Sequence, residues 1–429
     1  MTATDHDHVH RTIEAVWRIE SAKLIAGLAR MLRDVGLAEE LAQDALVAAL
    51  EHWPAEGVPD RPGAWLMTTA KNRALDRLRR RQLLESRHDD IGEVEALLAT
   101  IPNFEEAADD AIGDDLLRLM FTACHPVLST EARVALTLRL LGGLTTDEIA
   151  RAFLVPEPTI AQRIVRAKRS LAEAHVPFEV PGKDELVARL ASVLDVIYLI
   201  FNEGYTATSG DDWMRPALCE EALRLARILT GLMPEEPEVL GLVALLELTA
   251  SRTRARTGAQ GEPILLLEQN RAQWDRLLIQ RGLALLERAE KLGTPLGPYA
   301  LQAAIAACHA RARAAEQTDW QRIVALYDAL AALTGSPVVE LNRAVAVGMA
   351  FGPQAGLELA DALTDEPAFK NYHLLPSVRG DLLAKLGRND EARAEFERAA
   401  ALTRNTRERA LLLDRVSACA SATAASRPH

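Results

Sequence analysis

Two segments of this 429-residue chain concentrate positive charge at helical spacing. The first reads KNRALDRLRRR over residues 71–81 and holds six basic residues and one acidic residue. Helical periodicity places six polar side chains on one broad face: Asn72, Arg73, Asp76, Arg77, Arg79 and Arg80. Such a face can lie along a phosphate backbone while an amide hydrogen-bonds a base edge, with Trp65 on the apolar side. A solvated, salt-bridged surface helix is the alternative interpretation.

The second basic segment lies between residues 159 and 169, with four basic residues and no acidic residue. Thr145 and Thr146 are alternative caps for a preceding helix that ends near Phe153. Two prolines within residues 154–158 stop that helix and start the next one. The pattern therefore predicts a helix-turn-helix.

The second helix of this predicted motif has two distinct faces. A spacing of 4, 3 and 4 predicts a buried seam made by Ile160, Ile164, Ala167 and Leu171. The remaining polar side chains are Thr159, Gln162, Arg163, Arg166, Lys168 and Arg169. Arginine and glutamine can read purine edges in the major groove, and the other charges can hold phosphates. A plain helical hairpin with a basic outer face is the alternative.

The surrounding elements divide the chain into four parts. Apolar residues at three- and four-residue spacing predict helices over residues 10–87, and an acidic linker follows at 88–104. Residues 105–176 are predicted to be helical again and contain the helix-turn-helix. Residues 186–417 read as helix after helix, broken at glycine and proline. The predicted fold class is all-α: two small helical domains followed by an α-helical repeat domain.

The repeat pattern is clearest near the end of the chain. Residues 371–403 carry small and aromatic side chains at positions typical of a tetratricopeptide repeat: Gly380, Leu383, Gly387, Ala392, Phe396 and Ala399. Weaker copies place Ile323 and Gly356 at matching positions, about one repeat length apart. Helix pairs of this kind stack into a solenoid with a concave face. We therefore expect this part of the chain to serve interactions.

Composition narrows the function classes. The 49 basic and 61 acidic residues leave a net charge of −12, which argues against coating nucleic acid along the whole surface. The four cysteines are widely separated, which disfavours a disulfide framework or zinc ribbon. We find no catalytic, metal or cofactor motif, and we expect neither enzymatic activity nor a cofactor. No secretory signal or membrane-length apolar run is present, so we expect a cytoplasmic protein.

Three stretches, in this order, resemble the sigma-70 family of bacterial RNA polymerase sigma factors, and specifically its extracytoplasmic-function group. The stretch AEELAQDALVAALEHW (38–53) resembles the helix that docks on the polymerase clamp. The stretch AWLMTTAKNRALDRLRRR (64–81) resembles the helix that recognises and melts the −10 element. The stretch LTTDEIARAFLVPEPTIAQRIVRAKRSL (144–171) resembles the −35 reader. The resemblance covers about residues 10–175 and implies promoter-specific transcription initiation with core polymerase.

The resemblance also implies roles for individual residues. The clamp helices of core RNA polymerase are expected to meet Glu40, Gln43 and Asp44. The single-stranded −10 element is expected to meet Trp65, Asn72, Arg73, Asp76, Arg77 and Arg80. The −35 duplex is expected to meet Thr159, Gln162, Arg163, Arg166, Lys168 and Arg169, with Gln162 and Arg166 reading bases.

Beyond these stretches, YLIFNEGYTAT (198–208) resembles the start of a C-terminal tetratricopeptide-like extension in one subgroup. In that subgroup the extension is thought to regulate the factor in place of a separate anti-sigma protein. A regulatory protein or ligand is therefore an expected partner of this region. Glu203, Tyr205 and Asp211 either line a site there or form packing and turn contacts.

Two other function classes compete with a sigma factor. One is a DNA-binding activator with a helical-repeat sensor, and the other is an enzyme or scaffold in which the helix-turn-helix is incidental. An activator needs no melting helix, so the segment 64–81 favours a sigma factor over an activator. The lack of a catalytic motif disfavours an enzyme.

Overall fold

We describe the chain from a computed structural model that covers residues 3–85, 109–258 and 261–425. Within these residues there are eighteen α-helices and one parallel pair of two-residue strands, β1 (Ser209–Gly210) and β2 (Arg404–Asn405). The all-α prediction is confirmed. The predicted linker at 88–104 lies outside the described residues, and the side chains of 78–113 are not described, so the expectation for Arg80 stays untested.

Residues 1–197 form one compact unit. Its helices are α1 (Ala3–Leu32), α2 (Val35–Glu56), α3 (Pro62–Glu85), α4 (Asp109–Ala123), α5 (Thr130–Leu140), α6 (Thr146–Phe153), α7 (Glu157–Glu173) and the first part of α8 (Lys183–Tyr205). The helix α1 packs against α2, α3 and α4, while α7 packs against α5 and α6. The two predicted small domains thus share one packed unit.

The helix-turn-helix has the local chemistry that its sequence predicts. The Thr145 hydroxyl accepts the Glu148 N–H at 3.1 Å, and the Glu148 carboxylate accepts the Thr145 N–H at 2.8 Å. This capping box identifies Thr145, and not Thr146, as the cap of α6. The helix α6 ends at Phe153, and the following residue, Leu154, has a left-handed φ of 50°. Pro156 precedes the first turn of α7.

Residues 198–429 form a second compact unit. After the last part of α8, its helices are α9 (Pro216–Leu232), α10 (Pro237–Ala250), α11 (Arg276–Lys291), α12 (Pro298–Arg311), α13 (Trp320–Thr334), α14 (Pro337–Phe351), α15 (Pro353–Asp361), α16 (Leu374–Lys385), α17 (Asn389–Leu402) and α18 (Thr406–Ala425). Short 3₁₀ turns lie at Thr253–Ala255, Arg271–Gln273, Ala315–Gln317 and Pro367–Phe369. Most consecutive helices pack against each other.

The helix pair α16–α17 coincides with the clearest predicted repeat. A Cβ at Gly380 would lie 2.8 Å from the Phe396 ring, so only glycine lets the two helices approach this closely. Phe396 is 2% exposed, and Ala392 and Ala399 are fully buried beside it. The predicted helix pair is confirmed, while its assignment as a tetratricopeptide repeat stays a prediction.

Two features of the second unit extend beyond the prediction. The helix α18 continues to Ala425, past the predicted end at residue 417, because its alanine-rich end favours helix. The Asn405 side chain donates to the carbonyls of Ala207 at 3.1 Å and Asp212 at 2.9 Å. This buried amide ties the beginning of the second unit to its end, which no periodic pattern in the sequence indicates.

Candidate nucleic-acid interface

The helix α7 buries one face and presents the opposite one. Its buried residues are Ile160, Ile164, Ala167 and Leu171, each at most 5% exposed, which confirms the predicted seam. Burying four apolar side chains of one helix fixes its rotation about its own axis. The helix face opposite the seam is therefore held in a defined orientation.

The opposite face of α7 carries Gln162, Arg166 and Arg169 as exposed side chains. Arg169 pairs with Glu173 at 2.7 Å, whereas the Arg166 guanidinium has no hydrogen-bond or salt-bridge partner within the described part of the chain. Val165, which follows Gln162 by three residues, is also on this face and is 63% exposed. The set of residues predicted from the sequence omitted it. An exposed valine on this face can contact a thymine methyl group, so the face offers both polar and apolar base contacts.

The other predicted members of this set are half-buried. Thr159 lies in the first turn of α7. The pKa of Glu131 is lowered mainly by its backbone hydrogen bond and, to a smaller extent, by the charge of Arg163. Lys168 forms an ion pair with Glu39 of α2. In this arrangement one of the expected phosphate-binding cations is bound to a carboxylate of the same chain.

Glu39 is the central acceptor between α2 and the helix-turn-helix. It is 3% exposed and accepts from the Arg139 Nε at 2.7 Å and from the Gln43 Nε2 at 2.5 Å, in addition to Lys168. The sequence-based set contains the neighbouring Glu40 instead. Helical period alone did not distinguish Glu39, because its partners Arg139 and Lys168 lie on distant segments.

Further ion pairs join the helices α1–α3 to the helices α4–α7. The Arg18 guanidinium lies 3.2 Å from the Glu148 carboxylate, and Arg30 lies 3.3 Å from Asp115. Burial raises the pKa of Asp115, and this shift is opposed by the charges of Arg30 and Arg118. The helices α1–α3 and α4–α7 are thus linked by complementary charges as well as by apolar packing.

The helix α3 presents Asn72, Asp76 and Arg77 as exposed side chains, with Arg73 half-buried. Trp65 is half-buried and makes an edge-on contact with Trp53, with ring centroids 5.4 Å apart. The exposure of Asn72, Asp76 and Arg77 agrees with the helical period, while their contact with nucleic acid stays a prediction.

The structure brings together two sets that the sequence assigned to different partners. Arg77 donates to Glu40 at 2.9 Å, and Arg73 donates to the backbone carbonyl of Asp44 at 2.6 Å. The Arg77 and Glu40 side chains are 57% and 59% exposed. Exposed pairs of this kind contribute only about 0–1 kcal/mol, so Arg77 can exchange its carboxylate partner for a phosphate at little cost.

The outer face of α2 also carries apolar residues that the sequence-based set omitted. Val47 is 48% exposed and Leu50 37% exposed, and both follow Glu40, Gln43 and Asp44 at helical spacing. Val47 and Leu50 line a cavity of about 340 Å³ together with Trp17 and Arg139. A mixed apolar and acidic helix face is suited to a protein partner.

Other chemistry has little support in the described residues. Burial raises the pKa of Cys124 to about 11 and that of Cys219 to about 12, so these thiols are not reactive thiolates. Across residues 3–85, 109–258 and 261–425, no group of three or more His, Cys, Asp and Glu residues is placed to hold a metal ion. Over the same ranges, no helix combines the length and apolar character needed to cross a bilayer.

Comparison with protein families accounts for three parts of the chain. Residues 20–83 match sigma-70 region 2, and residues 118–171 match sigma-70 region 4. Residues 189–290 match a family of unknown function (DUF6596). The first match contains α2 and most of α3, and the second contains the helix-turn-helix.

Known relatives agree with these matches. An uncharacterized protein of Rhizobium meliloti is 45% identical over 392 residues, which is 90% of this chain and 91% of that protein. The ECF RNA polymerase sigma factor SigK of Mycobacterium ulcerans is 34% identical over 149 residues, 34% of this chain and 75% of SigK. The probable ECF RNA polymerase sigma factor SigI of Mycobacterium tuberculosis is 28% identical over 181 residues, 42% of this chain and 61% of SigI.

The chain therefore belongs to the extracytoplasmic-function family of RNA polymerase sigma factors. The match to region 2 includes the helix that a DNA-binding activator does not need, so the activator interpretation is not favoured. No solved structure matches this chain.

Proposed function

We propose that this protein is an alternative sigma factor that docks on core RNA polymerase through α2 and directs promoter-specific initiation. The helix α7 reads the −35 duplex, and α3 contacts the −10 strand. The helical second unit modulates this activity. The observation that carries the proposal is the exposed face of α7, where Gln162, Val165 and Arg166 stand opposite a buried seam.

The geometry of α7 supports a base-reading role for Arg166. Its guanidinium is exposed and unpaired among the described residues, so it loses no ion pair when it binds DNA. Arginine binds the O6 and N7 atoms of guanine through two parallel hydrogen bonds, and such a contact discriminates bases by about 1–3 kcal/mol. Arg166 is therefore the residue on which −35 selectivity depends most.

The proposed docking surface on α2 combines the exposed Val47 and Leu50 with Glu40 and Asp44. The apolar pair supplies contact area, and the carboxylates set orientation and the association rate against a basic partner surface. Arg77 is bound to the Glu40 carboxylate, and Arg73 is bound to the backbone carbonyl of Asp44, with the Asp44 carboxylate 3.8 Å away. Polymerase docking on Glu40 and Asp44 therefore releases both arginines toward the −10 strand.

The proposal is tested by transcription in vitro with purified core polymerase, a promoter library and the full-length chain. We expect promoter-dependent initiation. Arg166→Ala is expected to relax selectivity at one or two −35 positions, with a cost of about 1–3 kcal/mol at the preferred base. Arg151→Ala serves as the control, because Arg151 is an exposed arginine of α6 that pairs with Asp147 at 2.8 Å.

A shortened chain that ends at Ile197 tests the proposed role of the second unit. This end point retains the α8 residues Arg189 and Ser192, which donate to the carbonyls of Phe121 and Cys124 at 3.0 and 2.6 Å. We expect the shortened chain to bind core polymerase with altered transcription activity. If the full-length chain is not captured by core polymerase and gives no promoter-dependent transcript, the proposed function is wrong.

A further inference from the structure

Three arginines of the second unit, Arg252, Arg256 and Arg271, lie together around two aromatic rings. The Arg252 guanidinium carbon is 5.8 Å from the centroid of the Tyr205 ring and 5.9 Å from that of Trp274. Arg256 lies 3.5 Å from the Tyr205 centroid, and Arg271 lies 4.8 Å from the Trp274 centroid. Arg252 is thus the neighbour that the two other cations share.

None of the three forms a salt bridge with a carboxylate in the described part of the chain. Arg256 and Arg271 are each 7% exposed and use neutral acceptors. Arg256 donates to the Tyr205 carbonyl, and Arg271 donates to the carbonyl of Ala312 at 2.9 Å. Burying two cations that have only neutral acceptors costs free energy. The cost of removing a charge from water is offset mainly by an opposite charge, and none is bound here within the described residues.

Three buried polar atoms beside these arginines are also without a hydrogen-bond partner in the described structure. The Trp274 Nε1, the Arg271 Nε and the His309 Nδ1 are buried without a partner in the described structure. Buried polar atoms normally have a hydrogen-bond partner. The Trp274 Nε1 and the Arg271 Nε can only donate, so these two unmatched atoms beside Arg252 indicate a missing acceptor. The Arg252 guanidinium is half-buried and has no hydrogen-bond acceptor of its own within the described residues.

The local field is positive. The pKa of His309 is lowered to about 3, first by burial and then by the charges of Arg252 and Arg271. Arg252 also lowers the pKa of Arg256 and of Arg271, after the larger effect of burial. The carboxylate that acts on Arg271 is Glu316, which is exposed and forms no salt bridge with it. An anion placed beside Arg252 would offset this repulsion.

We propose that the second unit binds a small oxyanion, a carboxylate or phosphate group, on the Arg252 guanidinium beside Arg271, Trp274 and His309. A planar guanidinium fork suits the paired oxygens of either group. The ligand group is small because Trp274 and His309 are only 4% and 8% exposed, which leaves Arg252 as the half-exposed point of entry.

This inference concerns a part of the chain to which the comparisons assign no activity. Arg252, Arg271 and Trp274 all lie within residues 189–290, the segment that matches a family of unknown function. Binding at this site does not depend on sigma-factor activity, so it stands or fails separately from the transcription proposal.

The test is isothermal titration of the full-length protein with inorganic phosphate and, separately, with succinate, at an ionic strength held constant with chloride. We expect saturable binding of at least one of them, and the arm that saturates identifies the source of the oxyanion. Arg252→Gln is expected to weaken the Kd by about tenfold or more, because a charge-assisted hydrogen bond is lost. The matched control is Arg281→Gln, which removes the same charge from an exposed position on α11.

Three results would overturn the proposal: no saturable binding of either anion, unchanged binding in Arg252→Gln, or an equal loss in Arg281→Gln. Circular dichroism shows whether each variant is folded. Should Arg252→Gln lose its cooperative melting, Arg252→Lys decides the matter, because lysine keeps the charge and lacks the planar fork. Weakened binding in the lysine variant supports the site, and unchanged binding refutes it.

Discussion

At the scale of single residues, exposure decides what each ion pair does. The Arg77–Glu40 pair is more than half exposed, which suits a contact that a partner can displace. Glu39, one residue earlier, is 3% exposed and is bound by Arg139 and Lys168. Adjacent glutamates of one helix therefore differ in role, because one faces solvent and the other faces α7.

Burial also decides the protonation state of His309. Burial, Arg252 and Arg271 lower its folded-state pKa to about 3, from an ordinary value of 6.5. Between these values the unfolded chain takes up a proton that the folded chain does not. The contribution of His309 to stability is therefore fully present above pH 6.5 and is lost as the pH falls toward 3.

We expect His309→Gln to remove part of this acid sensitivity. Thermal melting followed between neutral pH and roughly pH 5 should give a steeper fall of Tm in the natural protein than in the variant. His52→Gln, at an exposed position of α2, should keep the slope of the natural protein. Equal slopes for all three proteins would show that His309 is not protected from protonation.

At the scale of elements, small residues set how closely helices approach. A Cβ at Gly380 would meet the Phe396 ring atoms at 2.8–3.1 Å, so α16 and α17 would have to separate or the ring would have to move. The sequence pattern singled out both residues, and their contact explains why the pattern pairs a glycine with an aromatic residue.

We expect Gly380→Ala to lower the free energy of unfolding of the second unit by about 1–3 kcal/mol, which is typical of overpacking. Denaturant unfolding followed by circular dichroism measures this loss. Gly231→Ala in α9 is the matched control, since a Cβ there meets no heavy atom within 4 Å and alanine favours helix. A loss of the same size at both positions would assign the effect to the backbone and not to the Phe396 contact.

At the scale of the first unit, α1–α3 and the helix-turn-helix are held together by charges that the proposed function needs elsewhere. Lys168 is an expected phosphate contact and is bound to Glu39. The Arg139 and Lys168 side chains are 19% and 22% exposed, so these pairs are better protected from solvent than the pairs on α3. Binding of DNA along all of α7 therefore requires this contact to open.

We expect Glu39→Gln to open it. The variant should lose on the order of 1–3 kcal/mol of stability, less than for a fully buried pair, and bind promoter duplex more tightly without polymerase. Melting and fluorescence anisotropy measure the two effects. Glu51→Gln removes the same charge from an exposed position on α2 and should leave both nearly unchanged. Unchanged DNA affinity in Glu39→Gln would mean that the contact does not restrain α7.

The sequence by itself determined what depends on neighbours along the chain. The all-α fold, the helix-turn-helix and the buried seam of α7 all follow from helical period and local hydrogen bonding. The pattern left Thr145 and Thr146 as alternative caps, and it singled out Gly380 and Phe396 without predicting their contact. The same period predicted the exposed face that carries Gln162 and Arg166. Residues on one face of a helix recur every three to four positions, so the order of residue types along the chain is enough to predict that face.

Only the tertiary structure decided which distant side chains meet. It paired Lys168 with Glu39, placed Arg77 on Glu40, and gathered Arg252 and Arg271 around Trp274. Each of these contacts joins residues on separate elements, and their burial depends on how whole helices pack. The net charge of −12 does not reveal that Arg252, Arg256 and Arg271 lie together without a salt bridge to a carboxylate. Electrostatic energy depends on the distance between charges and on their exposure to solvent, and neither can be counted from the sequence.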